Sequence, residues 1–472
     1  MTSWIVCLVT KRANLHLCRL SFTLSTTAIF AILTAVPLLA QDKLSLREAI
    51  QLALQQNKSL QASSAAVRGS STRIQQARAS MLPTVDYSES LIRSNNPVFV
   101  FSSLLEQRQF TQDNFQINSL NRPAFLNNFQ SSLTVNQTLF DGGQTRKAVR
   151  SAELARDKTS EEDRQTRTEV MLSVVKAYLD AALSREALQA ASDAVQSAEA
   201  DLARAESIRQ AGMSTDADVL SIRVHLAGVR EQQIRREADV AIAQAELNDA
   251  LGVPLESRHE LSTPLTPANA TEQRLEDFEQ LAVSRHPGQL RMKYATDLAS
   301  TRVDAARSSL LPKVSVRGTF EVDRQDFADR GASNWLGAIS LSWNLFNGFS
   351  DKARIEEAKE SLLRAHAEQE RMNSAVRLQV WRAWEDLRTA EEQIRVAGAA
   401  VAEAQESLRI TQNRYQSGLS TVTDLLRTEA ALLESRTRYL SALHDQRIAA
   451  ALLDAASGTL SLDSRAVQEG TP

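Results

Sequence analysis

The sequence LFDGG at residues 139–143 returns as LFNGF at residues 345–349, which is 206 positions later. A second motif keeps the same offset, because QAGMST at 210–215 returns as QSGLST at 416–421. Self-similarity at a fixed offset indicates a chain assembled from two copies of one structural unit. Each copy is therefore expected to fold into the same series of elements, which is a helix, two strands, a long helix, a glycine turn and a returning helix.

Hydrophobic residues recur every seven positions between the two motifs of each copy. The series is Val174, Ala181, Leu188, Val195 and Leu202 in the first copy, and Val380, Leu387, Ile394, Val401 and Leu408 in the second. No proline interrupts residues 145–210, which as a helix would extend roughly 100 Å at 1.5 Å per residue. A seven-residue repeat is typical of coiled coils, so each copy is predicted to contain a long helix packed on an antiparallel partner.

The period changes from seven to two before each Leu-Phe motif. Apolar and polar residues alternate in four segments, whose apolar members include Val85 and Leu91, Phe129 and Leu133, Val314 and Phe320, and Trp335 and Ile339. This predicts four strands, each with one apolar face and long enough to cross a bilayer. The first copy also carries an insertion within residues 95–128, whose apolar spacing is too irregular to predict its conformation.

Four strands in a membrane would require other chains. Unpaired backbone groups are costly in hydrocarbon, so strands that face lipid must close into a barrel, and the smallest membrane barrels have about eight strands. Two or more chains would then each contribute four strands. The alternative is a soluble pair of hairpins covered by helices.

The N-terminal residues 1–40 are predicted to be a secretory signal peptide, with a transmembrane anchor as the alternative. Basic residues, among them Lys11 and Arg19, precede an uncharged run that ends near Ala40. Both cysteines of the sequence, Cys7 and Cys18, lie in this segment, so the mature chain would form no disulfide. The first structural repeat is then expected over residues 41–262, the second over 263–460, and a C-terminal tail over 461–472.

Charge and motifs argue against an enzyme or a nucleic-acid binder. Removal of three basic residues with the signal peptide changes the formal net charge from −3 to −6, which disfavours an electrostatic partnership with nucleic acid. The sequence contains no HExxH, GxSxG or P-loop motif, and His259-Glu260 lacks a second histidine. We expect no catalytic residues, no cofactor and no metal site.

The order of these features resembles the TolC-like outer membrane efflux protein family, also called outer membrane factors, over about residues 44–460. The resemblance implies a mainly α-helical fold with a β-barrel portion. Long antiparallel coiled-coil helices would form an α-barrel tunnel, and four transmembrane β-strands per chain would close as a twelve-stranded barrel in a trimer. The implied function is a passive conduit from periplasm to outside in a tripartite efflux or type I secretion system. Its location would be the Gram-negative outer membrane, extending into the periplasm.

The resemblance also implies partners and a gate. The partners would be a homotrimer, outer-membrane lipid, a periplasmic adaptor (membrane fusion) protein and, through the adaptor, an inner-membrane pump of RND, ABC or MFS type. The hairpin tips that dock the adaptor map onto Gly212, Met213, Ser214 and Thr215 in the first copy, and onto Gly418, Leu419, Ser420 and Thr421 in the second. The periplasmic gate maps onto Asp218, Tyr415, Asp424 and Arg427, with a latch bond from Tyr415 to Asp218 and an Asp424–Arg427 pair.

Simpler roles for the gate residues stay open. Tyr415 aligns with a heptad core position and could serve packing alone, Asp218 could cap the helix after the turn, and Asp424 and Arg427 could form a solvated surface pair. A periplasmic coiled-coil scaffold or adaptor protein without a channel is the alternative function. Such a protein would need no strands with an apolar face.

Overall fold

A computed structural model describes residues 43–212, 214–269 and 273–468. The predicted signal peptide, residues 1–40, therefore lies outside the described residues, as do Met213 and the last four residues of the predicted tail. The elements, in chain order, are β1 (Lys43–Leu44), α1 (Leu46–Gln56), α2 (Lys58–Ala79), β2 (Thr84–Ser94), α3 (Pro97–Glu106), α4 (Ile117–Asn121), β3 (Leu126–Phe140), α5 (Gln144–Gln210), α6 (Asp216–Leu251), β4 (Glu260–Leu261), α7 (Leu275–Arg285), α8 (Pro287–Ser308), β5 (Lys313–Arg324), β6 (Ala332–Ser342), α9 (Ser350–Gln416) and α10 (Val422–Ala456).

The four predicted strands form one antiparallel sheet in the order β2-β3-β5-β6. The apolar face of β6 is open to the surroundings, since Trp335 is 83%, Ile339 77% and Leu341 68% exposed. Strands β2 and β6 are the two edges of the sheet, so each has one side without a strand partner in the chain. An amphipathic sheet with an uncovered apolar face fits a lipid environment and confirms the predicted β portion.

Two helical hairpins, α5–α6 and α9–α10, form the long part of the molecule, as the heptad pattern predicts. Helices α5 and α9 have 67 residues each, about 100 Å at 1.5 Å per residue. None of the helices described within residues 43–468 combines the length and the hydropathy that a membrane-spanning helix needs.

The Leu-Phe motifs form the turns from strand to long helix. Asp141 caps α5, because its carboxylate accepts hydrogen bonds from the backbone N–H groups of Gly143 at 2.9 Å and Thr145 at 2.7 Å. Asn347 has the same role in the second copy, where its side chain accepts a longer bond of 3.4 Å from the N–H of Asp351. Gly142 has a φ of +67°, and a Cβ there would lie 2.8 Å from the Cβ of Leu311. Only glycine fits this turn without displacing the neighbouring repeat.

The two copies differ from the predicted series in one respect. Each begins with two helices instead of one, because α1 ends before α2 at Asn57 and α7 ends before α8 at His286. Both residues are N-caps with extended backbone, and their side chains accept a bond from the N–H two positions later. The boundaries proposed for the repeats, 41–262 and 263–460, stay a prediction. The insertion in the first copy folds as α3, a 3-10 turn and α4.

The main hydrophobic core lies midway along the hairpins, where α1 and α7 pack on them. Tyr178 of α5 is fully buried in this core. Its hydroxyl donates to the carbonyl of Leu44 at 2.8 Å and accepts from the N–H of Thr263 at 3.0 Å. Both residues belong to the extended segments that precede and connect the copies, so one side chain fixes both segments to the long helix.

Burial along the hairpins is uneven between the copies. In α5, Ala198 and Ala205 are fully buried. Their counterparts 206 positions later, Ala404 and Thr411 of α9, are only half-buried. Helix α5 packs on α10 of the other repeat, whereas α9 makes no comparable contact with α6 within the described residues, so one long face of α9 is less covered.

Candidate functional site: the hairpin tips

The turns of the two hairpins lie where the sequence predicts them. Gly212 and Gly418 follow the ends of α5 and α9 with φ values of +77° and +71°. In the second tip, the N–H of Leu419 bonds the carbonyl of Arg414 at 2.8 Å and that of Gly418 bonds Tyr415 at 3.0 Å. A left-handed residue after the helix satisfies the last carbonyls, and glycine adopts it without strain. Of the predicted tip residues, Leu419 is 69% exposed at the extremity.

Capping boxes begin the returning helices α6 and α10. Thr215 is the N-cap of α6, and its hydroxyl and N–H donate to the carboxylate of Asp218 at 2.8 and 3.1 Å. Thr421 and Asp424 repeat this arrangement at 2.7 and 3.2 Å. These bonds from threonine hold the pKa values of Asp218 and Asp424 below their usual range. Ser214 and Ser420 add one hydroxyl bond each to the same carboxylates. Both acids therefore stabilise the turn.

A small apolar core joins the two hairpins beside these turns. We call it the tip cluster; its buried members are Ala205, Val219, Ile222, Tyr415, Val422 and Leu425. Ile222 of the first hairpin and Leu425 of the second are fully buried. Since each hairpin supplies half of the cluster, the two tips can separate only by exposing these side chains.

Tyr415 lies next to Asp218 without bonding to it. Tyr415 is 9% exposed within the tip cluster, and its hydroxyl has no hydrogen-bond partner among the described residues. Burial raises the pKa of Tyr415 first, and the neighbouring acids Asp218 and Asp201 raise it further. The structure thus brings the two latch residues together, but the Asp218 carboxylate is engaged by the capping box and the latch bond is absent in the single chain.

Asp424 and Arg427 are both exposed on the first turns of α10. Arg427 contributes to the lowered pKa of Asp424, although it is the smallest of the causes. The ion pairs within the described residues do not include this pair, because the Asp424 carboxylate faces Thr421 and Ser420. The geometry places both side chains at the second tip as a separate anion and cation.

A buried polar group beside the tip cluster was not predicted from the sequence. It contains Asp201 and Arg204 of α5, His225 of α6 and Glu429 of α10. A signal existed, because Asp201 occupies the same heptad row as Ala187 and Ala194 on a face that packs against other helices. An acid on a row of alanines points to a buried partner.

The chain is similar to known proteins over most of its length. The model of the family described as outer membrane efflux protein matches residues 49–253 and 279–459. The chain is 29% identical to protein CyaE of Bordetella pertussis over 435 residues, 91% of this chain and 87% of that one. It is 27% identical to outer membrane efflux protein BepC of Brucella suis over 348 residues, 71% of this chain and 73% of that one.

The fold matches that of the outer membrane protein VceC of Vibrio cholerae with a TM-score of 0.72 and 17% identity, over 88% of this chain and 96% of that one. Because the family model covers most of the chain and the fold agrees over nearly its whole length, this transport protein of the outer membrane belongs to the outer membrane efflux protein family.

Proposed function

We propose that three copies of this chain form a passive channel that leads from the periplasm to the cell exterior. The observation that carries the proposal is the open four-stranded sheet, whose apolar face is exposed and whose edges β2 and β6 lack strand partners within the described residues. Lipid cannot satisfy such edges, whereas three copies would close a barrel of twelve strands. The family assignment disfavours a scaffold or adaptor without a channel.

The helical part supports the same assembly. The half-buried face of α9 is the counterpart of a face of α5 that α10 covers within the chain. The internal repeat suggests how this face is covered. Helix α6 of a neighbouring chain would pack on α9 in the way that α10 packs on α5 within one chain. The hairpins of three copies would then enclose one tunnel continuous with the barrel.

The hairpin tips are the proposed periplasmic gate and adaptor surface. Gly212, Ser214 and Thr215 belong to the first turn and Gly418 to Thr421 form the second, with Asp218, Asp424 and Arg427 beside them and Tyr415 packed behind them. An adaptor that docks there would connect the channel to an inner-membrane pump of RND, ABC or MFS type. BepC is named an outer membrane efflux protein, and we propose efflux or type I secretion as the role of this chain. Since transport through the channel is passive, the proposal includes no catalytic step.

The assembly is tested on the protein purified in detergent. We expect a trimer by native mass spectrometry and discrete conductance steps after reconstitution in planar bilayers. A water-soluble monomer without conductance would contradict the proposal. The variant Ile339→Arg places a charge on the apolar face of β6, at a cost on the order of 2 kcal/mol in a bilayer, and should reduce the amount of membrane-inserted trimer severalfold. Ser340→Arg, on the opposite face of the same strand, should insert normally, because successive side chains point to opposite faces.

Tyr415→Phe tests how this residue holds the gate. The hydroxyl has no partner in the chain, so its removal should change the closed-channel conductance less than twofold, whereas Tyr415→Ala should raise it by removing the ring from the tip cluster. Single-channel recording of both variants decides the matter. If Phe opens the channel as much as Ala does, the latch bond to Asp218 forms in the assembled trimer.

A further inference from the structure

Two buried carboxyl groups face each other across the hairpins, close to the tips. Asp201 of α5 has a side chain that is 2% exposed, and Glu429 of α10 has one that is 8% exposed. Each carboxyl group is among the neighbours that shift the pKa of the other, so the two side chains lie side by side. Both are about 10 to 14 Å from the turns, seven to nine residues along their helices at 1.5 Å per residue.

The hydrogen bonds around the pair leave one oxygen of each group without a donor. Arg204 donates to Oδ1 of Asp201 at 2.8 Å, and Ser197 donates to Oε1 of Glu429 at 3.1 Å. Oδ2 of Asp201 and Oε2 of Glu429 are buried and have no hydrogen-bond partner, although the ring of His225 lies 3.4 Å from Oε2. Ionised carboxylates are acceptors only, so two of them cannot satisfy each other without a proton.

We propose that Asp201 and Glu429 share one proton, and that the resulting hydrogen bond between α5 and α10 is a pin that holds the two hairpins together beside the tips. A protonated carboxyl donates to the other carboxylate, which satisfies both orphaned oxygens and removes the repulsion between like charges. Asp201 is the protonated member. Glu429 keeps its charge beside His225.

The electrostatics of the site agree with this assignment. Burial raises the pKa of Asp201, and the neighbouring Glu429 raises it further, to about 7. Burial also raises the pKa of Glu429, but bonds from His225 and Asp201 outweigh it and leave the value below the usual one. The two environments separate the pKa values of the carboxyl groups, so the pair holds a single proton near neutral pH.

Solvent can exchange that proton through an adjoining cavity of about 190 Å³. Polar residues from three helices line it, among them Asp193, Ser197, His225, Glu429 and Arg436. The volume has room for several water molecules. A proton can therefore reach the pair while the hairpins remain packed.

The pin predicts how the tips respond to pH. The pKa of Asp201 is raised in the packed state, so the stabilisation is complete at acidic pH and is lost as pH rises through about 7. Loss of this proton should raise the equilibrium constant for separation of α10 from α5 about tenfold between pH 6 and pH 8. Other titratable groups surround the site: Asp193 and Arg204 on α5, His225 on α6, Tyr415 on α9, and Arg436 on α10, while Asp218 of α6 lies next to Tyr415.

Hydrogen exchange of the detergent-purified protein tests the pin without relying on conductance. We expect the protection factors of amides 422–430 to fall about tenfold from pH 6 to pH 8. In Asp201→Asn the side-chain amide donates permanently to Glu429, so protection should change less than twofold over this range. Glu429→Gln should be equally insensitive, because its amide donates to Asp201. The pin would be overturned if protection in the parent protein did not change between pH 6 and pH 8. It would also be overturned if protection fell the full tenfold in both variants.

Control variants separate the pin from other titrating groups. Glu206→Gln removes an exposed acid of α5 that pairs with Arg223, and should leave the tenfold fall intact. His225→Gln should also retain it; a response lost there and kept in Asp201→Asn would assign the switch to the imidazole and refute the pin. His444 pairs with Asp180 between the same two helices, about 22 Å further along α10 at 1.5 Å per residue, so amides 440–448 report it separately.

The pin concerns the hairpins within one chain, and rests on the proposed gate only for its effect on transport. A trimer that conducts but shows no change of protection with pH would refute the pin and leave the channel in place. Protection that depends on pH as described, in a protein that does not conduct, would keep the pin and refute the channel. If both hold, conductance should also rise with periplasmic pH in the parent and not in Asp201→Asn.

Discussion

Replacing Leu425 by alanine should raise the open probability of the channel by about 30-fold. Leu425 is fully buried in the tip cluster, where it touches side chains of both hairpins. Truncation of a buried leucine costs about 2 to 5 kcal/mol, and the lower end corresponds to about 30-fold in an equilibrium constant. We propose that the gate opens when the two hairpins of a chain separate, which exposes the cluster, so the cost of the truncation falls on the closed state. Recording in planar bilayers measures the open probability directly.

Leu453→Ala is the matched control for this experiment. Leu453 lies on the same helix α10 and is also fully buried, but it belongs to the main core midway along the hairpins. We expect its truncation to lower the unfolding midpoint by a similar amount while the open probability stays within about twofold. Equal opening in both variants would mean that general loosening of the rod, and not the tip cluster, sets the gate. Ile222→Ala should reproduce the effect of Leu425→Ala from the first hairpin.

Arg447→Ala should produce the largest loss of stability among single substitutions of charged residues. Arg447 of α10 is completely buried. Its guanidinium donates to the carbonyls of the connecting segment at Thr266 (3.3 Å) and of the C-terminal segment at Ala466 (3.3 Å) and Gln468 (2.7 Å). Removal leaves buried carbonyls without a donor and opens a cavity, so we expect a loss on the order of 3 kcal/mol.

Urea unfolding at fixed protein and detergent concentration measures this loss, since the midpoint of an oligomer depends on concentration. Limited proteolysis should in addition cut the variant after residue 456, where the C-terminal segment loses its attachment to α10. Arg447→Lys should lose part of the stability, because an ammonium keeps the charge but not the planar fork of donors. Arg438 is an exposed arginine on the same helix and pairs with Glu434. The free energy of unfolding of Arg438→Ala should therefore lie within about 0.5 kcal/mol of the parent value. If Arg447→Ala had the unfolding midpoint and the proteolysis pattern of the parent, the two segments would be bound to α10 without the guanidinium.

Much of the fold follows from local patterns. The seven-residue and two-residue periods gave the long helices and the four strands, because each period reflects contacts between residues close together in the chain. The glycines at 212 and 418 predicted the turns for the same reason. The break of the first helix of each copy at Asn57 and His286 was missed, since an N-cap within a helical pattern changes only a few bonds.

The sequence by itself therefore determined the two repeats, the coiled-coil hairpins, the amphipathic strands and the family. Only the tertiary structure decided what the individual polar side chains do. Asp218 lies in a capping box and not in a bond to Tyr415, Arg447 binds segments far from it in the chain, and Asp201 meets Glu429 across 228 positions. The meeting of Asp201 with Glu429 depends on the longitudinal register of α5 against α10. A shift by one heptad would leave the hydrophobic seam matched, but it would separate these two carboxyl groups.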